Sequence, residues 1–214
     1  MFRNNPNGAG IGFIDKKNNK LAIMKGIFSV EELYEKYKFA KENSDNTIII
    51  HCRLATHGEV NAEMCHPFFV NEHLLFAHNG IILDMPASKT LSDTYYFNEL
   101  VLKDLKEGFE TNQYMLDMLD KYLGCNKLAF LNDNGDIAYT NAEGWIDYKG
   151  VLYSNETFLN DDEYLNNLGK FIPKCTQCGV YIIDGVIWQN ENEEEICEDC
   201  MIYNQAKAKG LTND

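Results

Sequence analysis

The stretch Ile50-His51-Cys52-Arg53-Leu54-Ala55-Thr56-His57-Gly58 carries a β-branched run, Thr47 to Arg53, into a loop of small and polar residues. A second stretch, Phe76-Ala77-His78-Asn79-Gly80, ends the apolar run Leu74 to Ala77 in a dipeptide where a strand turns sharply. Both runs have the composition of buried strands. All five histidines, His51, His57, His66, His73 and His78, fall within 28 residues. Histidine is the commonest metal ligand, so a metallohydrolase is one reading of the cluster. Against it, no pair has the His-x-His or His-x-x-x-His spacing that one strand or helix would use, and carboxylates are sparse between them.

Outward from this region the elements alternate. Gly8 to Ile14 and Leu21 to Met24 read as a hairpin across the polar turn Asp15 to Asn19. Ser29-Val30-Glu31-Glu32 reads as a capping box. The spacing of Val30, Leu33, Tyr34, Tyr37 and Ala40 continues it as an amphipathic helix to about Glu42. A second helix is expected from Ser92 to about Lys106 and a third from Tyr114 to Leu123. Lys127 to Leu131, the turn Asn134-Gly135, Ile137 to Thr140 and Val151 to Ser154 read as a meander that closes a sheet.

Beyond about residue 170 the composition changes, which divides the chain into a domain over 1–170 and a module over 171–214. The module holds Cys175-Thr176-Gln177-Cys178 and, after 18 residues, Cys197-Glu198-Asp199-Cys200. Two Cys-x-x-Cys pairs present four thiolates in the tetrahedral arrangement that structural zinc prefers. Gly179 suits the turn after the first pair, and Val180 to Trp188 reads as a hairpin turning near Asp184-Gly185, so the module resembles a zinc ribbon. Paired disulfides and coincidence are the competing readings. Residues 171–214 hold three Lys (Lys174, Lys207, Lys209) against eight acids, which disfavours nucleic acid as a ligand. A folding clip is the expected role, with protein docking second.

The whole chain has 19 basic and 33 acidic residues, 19 − 33 = −14, a balance that repels phosphate backbones and anionic membranes. Its 45% apolar share and the lack of an apolar run of about 18 residues fit a globular, non-membrane chain. The start, Met1-Phe2-Arg3-Asn4-Asn5-Pro6, lacks the pattern of a signal peptide, so a cytoplasmic location with reduced cysteines is expected.

Five short motifs then stand in register: Arg53-Leu54-Ala55-Thr56-His57-Gly58, Asn61, Cys65-His66-Pro67-Phe68, Ala77-His78-Asn79-Gly80-Ile81 and Ser92-Asp93-Thr94. In order and spacing they resemble the glutamine-binding core of class II glutamine amidotransferases. Asn5-Pro6-Asn7-Gly8 is similar to the Asn-Pro-Asp-Gly stretch of stand-alone members, including those carried by bacteriophages. The resemblance implies an α+β fold, a four-layer αββα sandwich of the N-terminal nucleophile hydrolase type. It implies that Arg53 takes the α-carboxylate of glutamine through its guanidinium fork and that Asp93 takes the α-ammonium. Thr56, with the backbone around His57 and Gly58, would help hold the amino-acid end, and Asn79 with the Gly80 amide would form the oxyanion hole. Taken singly, Arg53 is equally a surface cation, Asp93 a helix cap, and Asn79-Gly80 a hairpin turn.

In that family the nucleophile is a cysteine at the mature N-terminus, whose α-amine serves as base for its own thiol. Here residue 1 is Met, and the bulk of Phe2 disfavours its removal. The expectation is a start assigned at an internal methionine, with a strand carrying the cysteine and a short helix upstream. The rival is a non-catalytic relative that binds glutamine or a partner. Cys52 and Cys65, within the motifs, read as buried structural thiols rather than substitute nucleophiles. In complete form the protein would hydrolyse the glutamine side-chain amide through a cysteinyl thioester. Ammonia would pass to an unknown acceptor, with a protein partner or plain hydrolysis of glutamine or a related amide both open.

Overall fold

The computed structural model describes residues 1–2, 4–44, 47–56, 58–86, 88–156, 158, 175–178, 188–190 and 192–209. They fall into two compact units, Met1–Ala142 and Glu143–Asp214. The boundary expected near residue 170 lies outside the described residues.

Side chains of period two organise the first unit. Strand β1 (Ala9–Asp15) lies between β2 (Lys20–Ile27) and β3 (Ile49–Cys52), antiparallel to both, with Ile11 opposite Met24 on one side and Ile50 on the other. Ala9, Ile11 and Phe13 face α1 (Val30–Asn43) and form a cluster with Ile27, Ala40 and Cys52, flanked by Leu33 and Tyr37. The opposite face supplies Ile14, Leu21 and Ile49, which meet Leu75, Ala77 and Leu131 of a second sheet. That sheet has the order β4 (Phe68–Asn71), β5 (Leu74–Asn79), β6 (Lys127–Asn132), β7 (Ile137–Tyr139), with every neighbouring pair antiparallel. Leu74, Phe76, Leu128 and Phe130 point away from the first sheet. They pack with Phe97 of α2 (Asp93–Leu100) and Leu116, Leu119 and Leu123 of α3 (Gln113–Leu123). Helix, sheet, sheet and helices thus stack in four layers with three apolar interfaces, as the resemblance implies.

The helix starts follow local chemistry. Ser29 Oγ accepts from Glu32 N, Ser92 Oγ from Tyr95 N, and Asn112 Oδ1 from Tyr114 N, so α1, α2 and α3 each have a side-chain N-cap. The second helix is shorter than its sequence pattern suggests. It ends at Leu100 because Val101 leaves helical geometry, and a short 3-10 helix, Leu102–Asp104, then buries Leu102 completely in the core.

In the second unit, Val151–Tyr153 (β9) does not extend the meander. It pairs with β8 (Ile146–Tyr148), because Lys149 and Gly150 both take positive φ and close a tight local hairpin. Trp188–Gln189 (β10) pairs with Glu195–Ile196 (β11), and Glu198–Ala208 forms α4, an element absent from the sequence reading. Gly179 and the expected hairpin from Val180 lie outside the described residues except for Trp188. No helix of the described residues is long and apolar enough to cross a membrane.

Candidate functional site

Arg53 follows the last residue of β3, and backbone bonds clamp it there. Its N–H donates to the Gly8 carbonyl at 2.7 Å, its carbonyl accepts from Asn7 N at 3.0 Å, and Asn7 Oδ1 accepts from Ala55 N at 3.0 Å. The Asn7-Gly8 pair therefore holds the exit of β3 in place. Arg53 is only 4% exposed and donates from Nη1 to the Glu59 carbonyl at 2.7 Å. Burial pulls its pKa down while Cys65 and Asp93 act the other way; the guanidinium stays a cation.

Asp93, 7% exposed, stands in the first turn of α2. Its Oδ2 accepts from Ile82 N at 2.7 Å and its Oδ1 from Thr94 N at 2.8 Å. Ser92 is the helix cap, and Asp93 also satisfies the Thr94 N–H of the first turn. The Asp93–Ile82 bond ties the helix start to the segment after β5, where Asn79 ends the strand and Gly80 turns with φ 131. A Cβ at Gly80 would run into Asn126 Oδ1, so no other residue lets the chain pass here. Gly58 has φ 72, and a Cβ there would lie 2.8 Å from Ser92 N, which brings the loop after Arg53 against the start of α2. Arg53, Gly58, Asp93 and the Asn79-Gly80 turn are thereby linked at one end of the two sheets. Thr56 is partly buried in the same loop, and His57 lies outside the described residues.

Behind these residues runs a buried polar chain. His78 Nδ1 lies 2.7 Å from Thr94 Oγ1 and its Nε2 2.8 Å from Asn126 Oδ1. Because Asn126 Nδ2 donates to the Leu123 carbonyl, Oδ1 is the atom that faces His78, and Nε2–H must be the donor. In the neutral ring Nδ1 then accepts the Thr94 hydroxyl proton. His66 Nδ1–H donates to the His78 carbonyl at 3.0 Å, and the His51 and His66 rings stack at 4.1 Å. Burial lowers the pKa of all three: His51 is pushed down to about 3, and His66 and His78 fall below the usual value. The rings are neutral, those of His66 and His78 are hydrogen-bonded while His51 Nδ1 is buried without a partner, and among the described residues they do not form a group able to hold a metal. Asn126 has no sequence signal, since it meets His78 across 48 positions of the chain.

Both cysteines inside the motifs are core. Cys52 is 5% exposed with its thiol pushed up to about 11 by burial, and fully buried Cys65, its thiol also raised by burial, donates from Sγ to the Asn61 carbonyl. Burial thus disfavours the reactive thiolate at both.

The second unit brings the four other expected residues together. The sulfurs of Cys175, Cys178, Cys197 and Cys200 all lie within 4.8 Å of one another, and Cys178 Sγ is 3.6 Å from Cys197 Sγ. A tetrahedron with metal–sulfur bonds of about 2.3 Å has edges of about 3.8 Å, so the cluster is close to the size a zinc ion requires. Hydrogen bonding from Cys178 pushes the Cys197 thiol up to about 12, and Cys200 is likewise raised; a divalent cation reverses that preference and holds thiolates. These four cysteines could hold a metal ion such as zinc.

Residues 3–96 match the family described as class-II glutamine amidotransferases. The first unit accordingly carries a class II glutamine amidotransferase-like region. A curated relative, glutamine–fructose-6-phosphate aminotransferase [isomerizing] of Buchnera aphidicola subsp. Acyrthosiphon pisum (strain APS), is 36% identical over 74 residues. That stretch is 35% of this chain and spans 12% of the relative.

Proposed function

We propose that the first unit binds glutamine and presents its side-chain amide for hydrolysis. The observation that carries this reading is a pair of buried, opposite charges, Arg53 and Asp93, held at one end of the sheets beside the Gly80 turn. An α-amino acid carries an anionic and a cationic group on one carbon. Arg53 takes the carboxylate and Asp93 the ammonium, while Thr56 and Gly58 close on the same end. The side-chain amide then extends toward Asn79 and the Gly80 N–H. As attack turns the amide carbon tetrahedral, those donors stabilise the oxyanion. The attacking group would be a cysteine thiol at a mature N-terminus, where the present sequence has Met1, its proton passing through the α-amine to the leaving ammonia. Water then cleaves the thioester, so glutamine and water become glutamate and ammonia. The ammonia acceptor would come from a partner protein or from residues outside the matched stretch.

For the second unit we propose a structural zinc ion on Cys175, Cys178, Cys197 and Cys200. It offsets half of the charge of four thiolates and ties α4 to the chain around Cys175 and Cys178. The supporting observation is the spacing of the sulfurs, with Cys175 and Cys200 buried beside Ile196.

Calorimetric titration with L-glutamine, with ammonia release followed in the same samples, tests the first proposal. Saturable binding that Arg53→Ala weakens at least tenfold supports it. Glutamine binding unchanged in Arg53→Ala would sink it, and binding without ammonia marks a glutamine-binding rather than a hydrolytic protein.

A further inference from the structure

The hydroxyl of Thr94 decides how much of Asp93 is left for a ligand. An ionised carboxylate offers about four acceptor positions on its two oxygens. Ile82 N fills one on Oδ2 at 2.7 Å, and Thr94 N fills one on Oδ1 at 2.8 Å. The Thr94 hydroxyl stands 3.4 Å from that same Oδ1 and 2.7 Å from His78 Nδ1. It has a single proton to donate, so the two acceptors compete for it. The buried bonds behind His78 settle the competition. Asn126 Nδ2 donates to the Leu123 carbonyl, which turns Asn126 Oδ1 toward His78 Nε2 at 2.8 Å. Because Oδ1 has no proton to give, Nε2 carries the hydrogen of the ring. Burial lowers the His78 pKa and keeps the ring neutral, so Nδ1 is a bare acceptor. The Thr94 hydroxyl therefore donates to Nδ1, the nearer of its two acceptors, and its proton points away from Asp93.

We infer that His78 and Asn126 are positioning residues for the ammonium end of the ligand: by drawing the Thr94 proton onto His78 Nδ1, they keep Asp93 Oδ1 open as an acceptor. The inference rests on the glutamine reading and says how the ammonium half of that site is maintained. With the opposite tautomer, or with no acceptor at position 78, the Thr94 hydroxyl turns to Asp93 Oδ1. The carboxylate is then engaged within its own helix turn, and an incoming ammonium has to displace that bond. A charge-assisted bond between ammonium and carboxylate is worth more than a neutral one, so the occupancy of a single lone pair is felt in affinity. Arg53 lies outside this chain of bonds, and the carboxylate end of the ligand does not depend on it. The effect is thus specific to ligands that carry an α-ammonium.

Calorimetry of the full chain with two ligands tests this, L-glutamine and glutaramate, which is the same molecule without the α-amino group. His78→Phe keeps a ring and loses both nitrogens. It should weaken L-glutamine about tenfold, the scale of one hydrogen bond to a charged group, and affect glutaramate far less. Adding Thr94→Val to His78→Phe should recover most of the lost L-glutamine affinity, because no hydroxyl proton remains to engage Asp93. Equal weakening of both ligands, or no recovery in the double variant, would show that His78 serves packing and would overturn the inference. Should His78→Phe fail to fold, long-range proton–nitrogen spectra of the unaltered chain decide the matter: a proton on His78 Nε2 supports the inference and one on Nδ1 overturns it. Arg53→Ala separates this from the glutamine reading. It should weaken both ligands whatever His78 does, and L-glutamine affinity unchanged in Arg53→Ala would remove the reading itself.

Discussion

The two units solve the same problem with different means. In the first, Phe76, Phe97, Phe130, Leu75, Leu128 and Leu131 are all but fully buried between layers, and the site residues are fixed as a by-product of that packing. In the second, the described core is Cys175, Ile196 and Cys200, with Cys197 and Met201 against it. Among the described residues that cluster is small, and on the zinc proposal the four sulfurs would hold it together. If so, chelation or Cys200→Ser should cost the second unit on the order of 10 kcal/mol, the scale of structural zinc in small domains. Amide exchange should show α4 losing protection while β1 and β5 keep theirs. Joint loss of protection in both units would break the contrast.

Within the first unit the histidines make a second contrast. His51, His66 and His78 are neutral in the fold because burial lowers their pKa, whereas exposed His73 is raised by Asp133. The unfolded chain protonates the three buried rings at the ordinary value of about 6.5, which the folded chain resists. Their stabilising effect is therefore complete above that pH and is lost as pH falls below it, down to about 3 for His51. Each ring contributes up to about 1.4 kcal/mol per pH unit within its window. His73 has the opposite sign: its small effect is present below about 6.5 and fades as pH rises through its raised value. Urea unfolding between pH 7.5 and 5 should show stability falling with acidification, and a flat profile would mean that the three rings are protonated in the fold.

Phe76 sharpens the comparison between units from the other side. Phe76→Ala should cost about 3–5 kcal/mol in urea unfolding of the first unit, since it empties the space between β5 and β6 and the helices. Metal bound per chain should stay the same. Phe76 was legible in advance as part of the apolar run Leu74 to Ala77, since a strand buried on both faces reads as a continuous apolar stretch. The four cysteines were legible for the same kind of reason, as a local spacing with one geometric solution. Phe68–Asn71 and Ile146–Tyr148 were not, being three- and four-residue strands recruited by a neighbour rather than by their own pattern. The end of α2 was hidden too, because burial of Leu102 overrides a continuing helical pattern.

Asn126 was the least legible residue of the site and gives the finest test of how packing positions it. No motif surrounds it. It enters only because β6 pairs with β5, which sets the residue before the strand beside His78 and beneath Gly80. Asn126→Ala should leave the His78 Nε2–H without its acceptor and cost about 1–3 kcal/mol of stability. The same change opens space under Gly80, so the turn loses its support and glutamine affinity should fall by a smaller factor than in Arg53→Ala. Asn126→Asp keeps an acceptor for Nε2–H but surrenders the bond to the Leu123 carbonyl. It should raise the His78 pKa, which the imidazole carbon resonance would report. If Asn126→Ala lowers stability but leaves glutamine affinity at the wild-type value, the polar chain serves the core alone, and Gly80 is positioned by β5 and the Asp93–Ile82 bond without it.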